Sequence, residues 1–580
     1  MVRTLTWVLA GIILYTTLGL ALRTRGLLPE SVRLNGPLTT VHTQRGKVFL
    51  DRLARPRRFW RAYANFGVGI TLVVMFGSLV LFLVSAYFSL KQPQPSALTK
   101  PENILAIPGV NQFLPLSMAP EIVAGMVLGL IVHEGGHGLM CRVEDIEIES
   151  MGLAFLTIVP LGAFVEPDEG SRAEASRGGQ TRMFAAGVTN NFALALIALV
   201  LLIGPVSGAI AVADGVPVGG VYSGTPAATS GIGGGDVITS VGGVPVENES
   251  DLDARLDDVD RPAVEVGLKG GESVTVDREV IVVRSTQGAP VGVNTTITAV
   301  NGTAVRTETE FRDAVANRSV AVIETASGES VRTPIGASAV VGANSTLAGD
   351  AVDPEETIVV TAVDGRRIVT AADLQNRFEG VDPGTTVRVV GYVDGERRTF
   401  DVTVPEGGLE GLGLRTNDGT SGVVVTDFGI KPYPASLYLG ILGGGGDGPS
   451  LLFAQRVYLL FVLPLAEPVG LLPYNFAGFS PTISSFYVTT GPLGVLGGGV
   501  FTLANLLFWT AWINIVLGQF NCIPALPLDG GHLLRSSVEA VVARLPVSRG
   551  RRLTTAITLG TSLLMIGVIV ASIVIPEMLG

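Results

Sequence analysis

The chain has 580 residues, 47% of them hydrophobic and 16% charged, with a mean hydropathy of +0.48. These values exclude an ordinary soluble globular domain and fit a polytopic α-helical membrane protein whose solvent is the lipid bilayer. A net charge of −11 argues against a nucleic-acid partner, and the two cysteines, Cys141 and Cys522, read as small buried residues in apolar surroundings.

Apolar runs of spanning length are expected at 5–22, 66–90, 121–140, 183–203, 494–520 and 554–575, about six transmembrane helices. The first run lacks a small-residue cleavage site and leads into an arginine-rich stretch, so it reads as a retained anchor rather than a signal peptide. Residues 23–58 carry nine Lys/Arg against Glu30 and Asp51, and this stretch is expected on the cytoplasmic side. Arg535, Arg544, Arg549, Arg551 and Arg552 mark a second cytoplasmic segment. Residues 1–119 thus form a two-helix membrane region with a basic loop.

The third run contains His133-Glu134-Gly135-Gly136-His137. On a helix, HExxH sets two imidazoles one turn apart on one face with a carboxylate beside them. That pattern offers Zn²⁺ two ligands, His133 and His137, and gives a water at the site a base, Glu134. Ionisable groups in a bilayer segment are costly, which makes them functional candidates. Alternating the helices from the basic loop puts the motif toward the cytoplasmic end of its helix. The fourth helix then delivers the chain to the outside.

Residues 206–450 form an extracytoplasmic insert with 34 acidic and 17 basic residues, and all five N-x-Ser/Thr sequons fall there. Lysine is scarce, five against 35 arginines. Three segments align without gaps: Val241 to Val246, Val300 to Val305 and Val363 to Ile368. After each come an acid (Asp251, Glu310, Asp373), an apolar residue (Leu252, Phe311, Leu374) and a second apolar residue one turn on (Leu256, Val315, Phe378). The unit reads as strand, glycine turn, short strand, helix, repeated about every sixty residues. Gly235-Asp236-Val237-Ile238, preceded by Thr225-Pro226-Ala227, resembles segments of PDZ domains. That resemblance implies a β-rich α+β insert of three PDZ-like repeats, which either bind extended peptides along a sheet edge or act as a spacer and size filter.

Residues 451–493 are apolar but broken by Arg456, Glu467 and prolines, and are expected to be re-entrant or interfacial. The next run ends in Asn521-Cys522-Ile523-Pro524-Ala525-Leu526-Pro527-Leu528-Asp529-Gly530-Gly531-His532. Catalytic zinc takes three protein ligands. Helix parity puts Asp529 at the depth of the histidines, with a helix-capping role as its alternative. Glu467 and His532 are rival ligands, His532 more suitably a contact to a ligand than to the ion.

HExxH in one membrane helix and N-x-x-P-x-x-P-L-D-G-G-H in a later one resemble the site-2 protease family of intramembrane metalloproteases. The resemblance implies a catalytic core split between 120–205 and 494–545, with 546–580 a last helix. It implies one zinc ion on His133, His137 and Asp529, and Glu134 as catalytic base. Ala186 to Asn191 resembles the family's A-G-P-x-x-N segment with Val188 in place of proline, so Asn191, with Asn521, is expected to position substrate. Gly162 to Glu166 resembles a membrane-embedded strand that pairs with substrate, which makes Gly162 and Phe164 substrate-positioning residues. The implied activity is cleavage of transmembrane segments of membrane-anchored, regulatory proteins, an upstream protease being a possible partner. The alternatives are a membrane zincin acting on signal-peptide remnants and a silent scaffold that captures peptides through the repeats.

Overall fold

A computed structural model of the chain describes all residues except 1, 30, 92–99, 105–106, 158, 260, 348–351, 446–450, 547–548 and 580, so Glu30 of the basic loop lies outside it. The chain divides into two compact units: residues 1–211, 436–480 and 488–580 form the first, and 212–435 with 481–487 the second.

In the first unit, α1 (Val2–Thr24) is followed by β1 (Val32–Asn35), β2 (Leu38–His42), α2 (Gln44–Leu53) and α3 (Arg57–Lys91). Then come α4 (Ala119–Val143) with the HExxH motif, β3 (Ile148–Leu156), β4 (Val159–Pro167) and α5 (Arg177–Leu201). After the insert follow α6 (Gly499–Asn521), α7 (Asp529–Val542) and α8 (Gly550–Leu579). Among the described residues, five helices are long and apolar enough to cross a membrane: α3, α4, α5, α6 and α8. The expected first span at 5–22 falls within α1. Between 451 and 493 stands only a short apolar helix, Phe453–Leu465, with turns and brief elements after it.

The strand expected at Gly162 to Glu166 is the centre of β4, and it belongs to a larger sheet than the sequence suggested. Four antiparallel strands run in the order β1-β2-β3-β4, with Leu38 opposite Leu156 and Gly152 opposite Phe164. The basic loop therefore supplies half of the sheet, and β4 is left at its edge. Between β2 and α3 the amphipathic α2 buries Leu50 against Leu139, Met140 and Ile148, while Val48 and Phe49 stay exposed.

The second unit holds three six-stranded antiparallel sheets. Each repeat supplies a tight hairpin whose two central residues have positive φ: Gly242-Gly243, Asn301-Gly302 and Asp364-Gly365. This is the conformation of the type I′ turn, which glycine, asparagine and aspartate tolerate best. The helices Glu249–Asp258, Glu308–Ala316 and Ala371–Phe378 follow, with Leu252, Leu256, Phe311, Val315, Leu374 and Phe378 all buried. The recurring acid has a physical role at the helix starts. Glu310 and Asp373 close capping boxes with Thr307 and Thr370, and the Asp251 carboxylate accepts from Glu247 N–H at 3.2 Å.

The chain segment after the third repeat was not legible as structure. Leu414–Thr416 pairs with Ala337–Val341 of the third repeat, Val423–Thr426 with Val280–Ser285 of the second, and Ile430–Pro432 with Val216–Val221 of the first. One returning segment closes the three sheets in reverse order, so the repeats are nested rather than strung in series. Where it passes the first two repeats, Arg278 and Asp427 form an ion pair whose side chains are 1% and 5% exposed.

Candidate metal centre

Close helix packing builds the site. On α4, a methyl added at Gly125 would lie 3.1 Å from the Thr510 backbone of α6, and one at Gly136 would lie 2.7 Å from Ala186 O of α5. Small residues thus let both neighbours approach the HExxH helix, as membrane helices require. On α5, a methyl at Gly187 would stand 2.6 Å from His137 Nε2 and 2.9 Å from His133 Nδ1. The backbone of α5 is therefore the wall against which the imidazoles rest.

Asp529 arrives on the first residue of α7. Added methyls at Gly530 and Gly531 would meet the backbone of Cys522, Ile523 and Ala525 at 2.4–2.7 Å, so the two glycines allow the chain to fold back on itself. The N-cap position is Leu528, with no side-chain cap, so Asp529 is not the cap of its helix. Its carboxylate faces the histidines.

His133 Nε2 and His137 Nε2 lie 3.2 Å apart, and Asp529 Oδ2 is 3.2 and 3.3 Å from them. A tetrahedral zinc site with bonds of about 2.0–2.1 Å has ligand-to-ligand edges of about 3.3 Å. The three atoms therefore stand at ligand spacing, and among the described residues they are the group of His, Cys, Asp and Glu able to hold a metal. His137 Nδ1 is 2.8 Å from Met183 O; donating there leaves the Nε2 lone pair for a cation. His133 and Asp529 are 6% and 9% exposed, so water competes poorly. Two imidazoles and a carboxylate suit zinc.

Glu134 lies on the same helix but turns toward the sheet. Its Oε2 accepts a hydrogen bond from Val165 N–H of β4 at 3.0 Å. Gly162, at φ +143°, is buried where a side chain would strike Leu130 at 2.7 Å, and Phe164 packs edge-on against His42 at 5.2 Å. Asn191 is fully buried with both polar side-chain atoms unpartnered, while Asn521 donates to Leu517 O of its own helix at 3.0 Å.

The rival ligands stand elsewhere. The His532 ring stacks on Phe184 at 4.4 Å, exposed Glu467 is bonded to Asn475, and buried Cys141 and Cys522 lie outside the group. Two residues escaped the sequence reading. Asn190 donates to Val132 O at 3.1 Å and accepts from Tyr63 OH at 2.9 Å, which ties α3, α4 and α5 together beside Glu134. Glu144, just past the end of α4, is gripped by Arg61 and Arg182, each at 2.9 Å. The doubled asparagine and the acid beside a helix end are weak signals without knowledge of what faces them.

The model of peptidase family M50 matches residues 121–566. Over 96 residues the chain is 32% identical to the protein named zinc metalloprotease Rip3 in two strains of Mycobacterium tuberculosis, covering 15% of this chain and 24% of that protein. Over 57 residues it is 37% identical to the uncharacterized protein MJ0971 of Methanocaldococcus jannaschii, covering 9% of this chain and 16% of the relative. The chain thus spans about a quarter or less of the length of these relatives. The family match, by contrast, runs from the start of the HExxH helix through the insert to the last membrane helix, and the chain, an integral membrane protein with zinc as its cofactor, belongs to peptidase family M50, the site-2 protease family.

Proposed function

We propose that this protein is a zinc-dependent intramembrane endopeptidase that cuts transmembrane segments of membrane-anchored proteins. The observation that carries the reading is the convergence of His133, His137 and Asp529 at ligand spacing, with Glu134 bonded to a sheet-edge strand. His133 Nε2, His137 Nε2 and Asp529 Oδ2 would hold the zinc ion. When bound, zinc polarises the scissile carbonyl and makes water a better nucleophile at neutral pH.

The remaining steps belong to the chain's own groups. A substrate helix keeps its carbonyls in i→i−4 hydrogen bonds and must unwind before attack. An unwound segment has unsatisfied peptide groups, intolerable in lipid but satisfied by an edge strand inside the protein. The edge strand β4 offers that pairing, with Gly162 letting the strand lie close against Leu130 of α4 and Phe164 two residues on. Glu134 takes the proton of the attacking water at a carboxylate oxygen and returns it to the leaving amine. Val165 N–H fixes the carboxylate relative to the strand that carries the substrate, so base and scissile bond share one frame. Asn191, buried with free donor and acceptor atoms, and Asn521 are the side chains we assign to positioning the peptide.

The insert is assigned to the outer side of the membrane and the site to the cytoplasmic side, on the strength of the basic residues flanking the helices. Cysteine at exposed Ser250 should react with an impermeant thiol reagent on intact cells, and cysteine at exposed Arg549 only after permeabilisation. The opposite labelling would reverse the orientation.

The activity is tested in proteoliposomes with a single-span reporter. Wild type should hold about one zinc per chain and cleave; His133→Ala, His137→Ala and Asp529→Ala should lose both metal and cleavage. Glu134→Gln should keep the metal and lose cleavage. Full zinc occupancy in Asp529→Ala would overturn the ligand set, and cleavage by Glu134→Gln would overturn the base.

A further inference from the structure

The first membrane unit holds a cavity of about 390 Å³ directly beside Glu134, open toward the surface. Gly135 and Ile131 of α4, Phe164 of β4, Met151 of β3 and Phe49 and Leu50 of α2 line it, with carbon facing inward almost throughout. Its volume falls at the low end of the range for pockets that hold small organic groups, roughly 300–1,000 Å³.

The two glycines between the motif histidines differ in purpose, and the difference locates the pocket. Gly136 is pressed against α5, where an added methyl would lie 2.7 Å from both Ala186 O and Asn190 Nδ2. Gly135 faces open space: a methyl there would meet nothing within 4 Å. No packing contact requires a glycine at 135, and in a helix interior it is less stable than alanine. What glycine provides at 135 is the room itself. Because Glu134 also lines the cavity and is bonded to Val165 N–H, the space lies where base and edge strand meet.

We propose that this cavity is a specificity pocket, and that it receives one large aliphatic or aromatic side chain of the substrate strand lying on β4, next to the bond to be cut. The proposal rests on the protease reading and adds the substrate feature. Apart from Glu134 polar groups are few in the lining, so an acidic side chain would meet a like charge and few donors there. Alanine or glycine would leave the cavity unfilled.

The experiment uses the full-length, zinc-loaded protein in two formats. In the first, single-span reporters in proteoliposomes carry Phe, Leu, Ala or Asp at each position of the cleaved region in turn. One position should show preference for Phe and Leu over Ala of about 10- to 200-fold in kcat/KM, the discrimination an apolar pocket supplies. In the second, fluorescent peptides of the Phe and Ala reporters are titrated into Glu134→Gln protein, where no turnover occurs, and should show the same order of preference. Gly135→Leu should fill the cavity and abolish or invert the preference in both formats, with zinc content unchanged. Phe49→Ala, at a residue 63% exposed, should widen the pocket and improve a Trp reporter relative to Leu, a check that stands even if Gly135→Leu does not fold. Glu134-dependent cleavage with no side-chain preference at any position would overturn the pocket and leave the protease standing. Loss of all cleavage in zinc-loaded wild type, with the Phe-over-Ala binding preference still removed by Gly135→Leu, would overturn the protease and leave the pocket. Equal binding of both peptides to Glu134→Gln would overturn the pocket whatever the cleavage result.

Discussion

Gly187→Ala offers a sharp test of how the metal site is built, because the residue touches no metal and carries no chemistry. An added methyl would stand 2.6 Å from His137 Nε2, 2.8 Å from His133 Cε1 and 2.9 Å from His133 Nδ1. Ordinary contact begins near 3.4 Å, so α5 or the imidazoles must give by roughly 0.8 Å. Metal sites tolerate ligand displacements of only about 0.2 Å. Yielding is resisted on both sides: α5 packs so tightly on α4 that a methyl at Gly136 would lie 2.7 Å from Ala186 O, and His137 Nδ1 is held to Met183 O at 2.8 Å. Overpacking of this kind costs about 1–3 kcal/mol. If the imidazoles absorb the strain, that cost appears as zinc affinity weakened by about 5- to 150-fold, at 1.4 kcal/mol per decade. Competition against a chelator of known affinity reads it directly, in detergent and without any substrate. Gly69→Ala is the control, since a methyl there meets nothing within 4 Å and should leave zinc binding alone. Wild-type zinc affinity in Gly187→Ala would refute the close approach of α5 to the histidines.

Removing Asp427 by substitution to Ala should destabilise the insert by about 3–5 kcal/mol, because Arg278 is then left buried and unpaired; hydrogen exchange of the insert in the intact protein measures it. Thr307→Ala breaks one capping box and should cost about 1 kcal/mol, seen as faster exchange in the second repeat's helix. Burial, with the neighbouring Asp427 charge, holds Glu308 above the ordinary carboxyl range against the opposing pull of Arg312. A carboxyl raised in the folded state binds its proton more tightly there than when unfolded. Its contribution therefore favours the fold as pH falls from neutral toward the carboxyl range and is lost as pH rises through the folded pKa. Glu308→Gln should stabilise the insert at pH 7 and flatten this dependence; an unchanged pH profile would contradict it.

What could be read from the sequence was set by the range of the interactions involved. HExxH is local, since one helical turn fixes the two imidazoles, and the pattern is legible wherever the helix is. Asp529 lies nearly 400 residues away, yet counting membrane crossings from the basic segments was enough to put it at the same depth. The hairpins and helices of the repeats were legible because turn chemistry and i, i+4 apolar pairs are short-range. The return strands were not. Leu414–Thr416, Val423–Thr426 and Ile430–Pro432 are three or four residues long, too short for a period to show, and find partners only after three repeats have formed. The same holds for β1 and β2, hidden in a segment whose arginines marked it as a loop. Leu38 pairs with Leu156 although α2, α3 and α4 separate them in sequence, and no local pattern announces that pairing.

Nesting changes how the insert can be cut without damage. The sequence suggests excision of about 216–405, which contains every repeat signature. In the fold, that deletion leaves Leu414–Thr416, Val423–Thr426 and Ile430–Pro432 with no sheet to join. Three strand edges with unpaired peptide groups are an aggregation hazard. Loss of activity in such a deletion would then say nothing about the repeats' role. Excision of 216–432 removes the strands together with their partners, and the membrane residues His133, Glu134, His137 and Asp529 all lie outside it. If the repeats filter access, this longer deletion should keep zinc and Glu134-dependent cleavage of a reporter with a short outer segment. It should also begin to cleave a reporter with a bulky outer domain that the intact protein refuses. Continued refusal of the bulky reporter by a zinc-loaded, active deletion would assign the selectivity to the membrane unit instead.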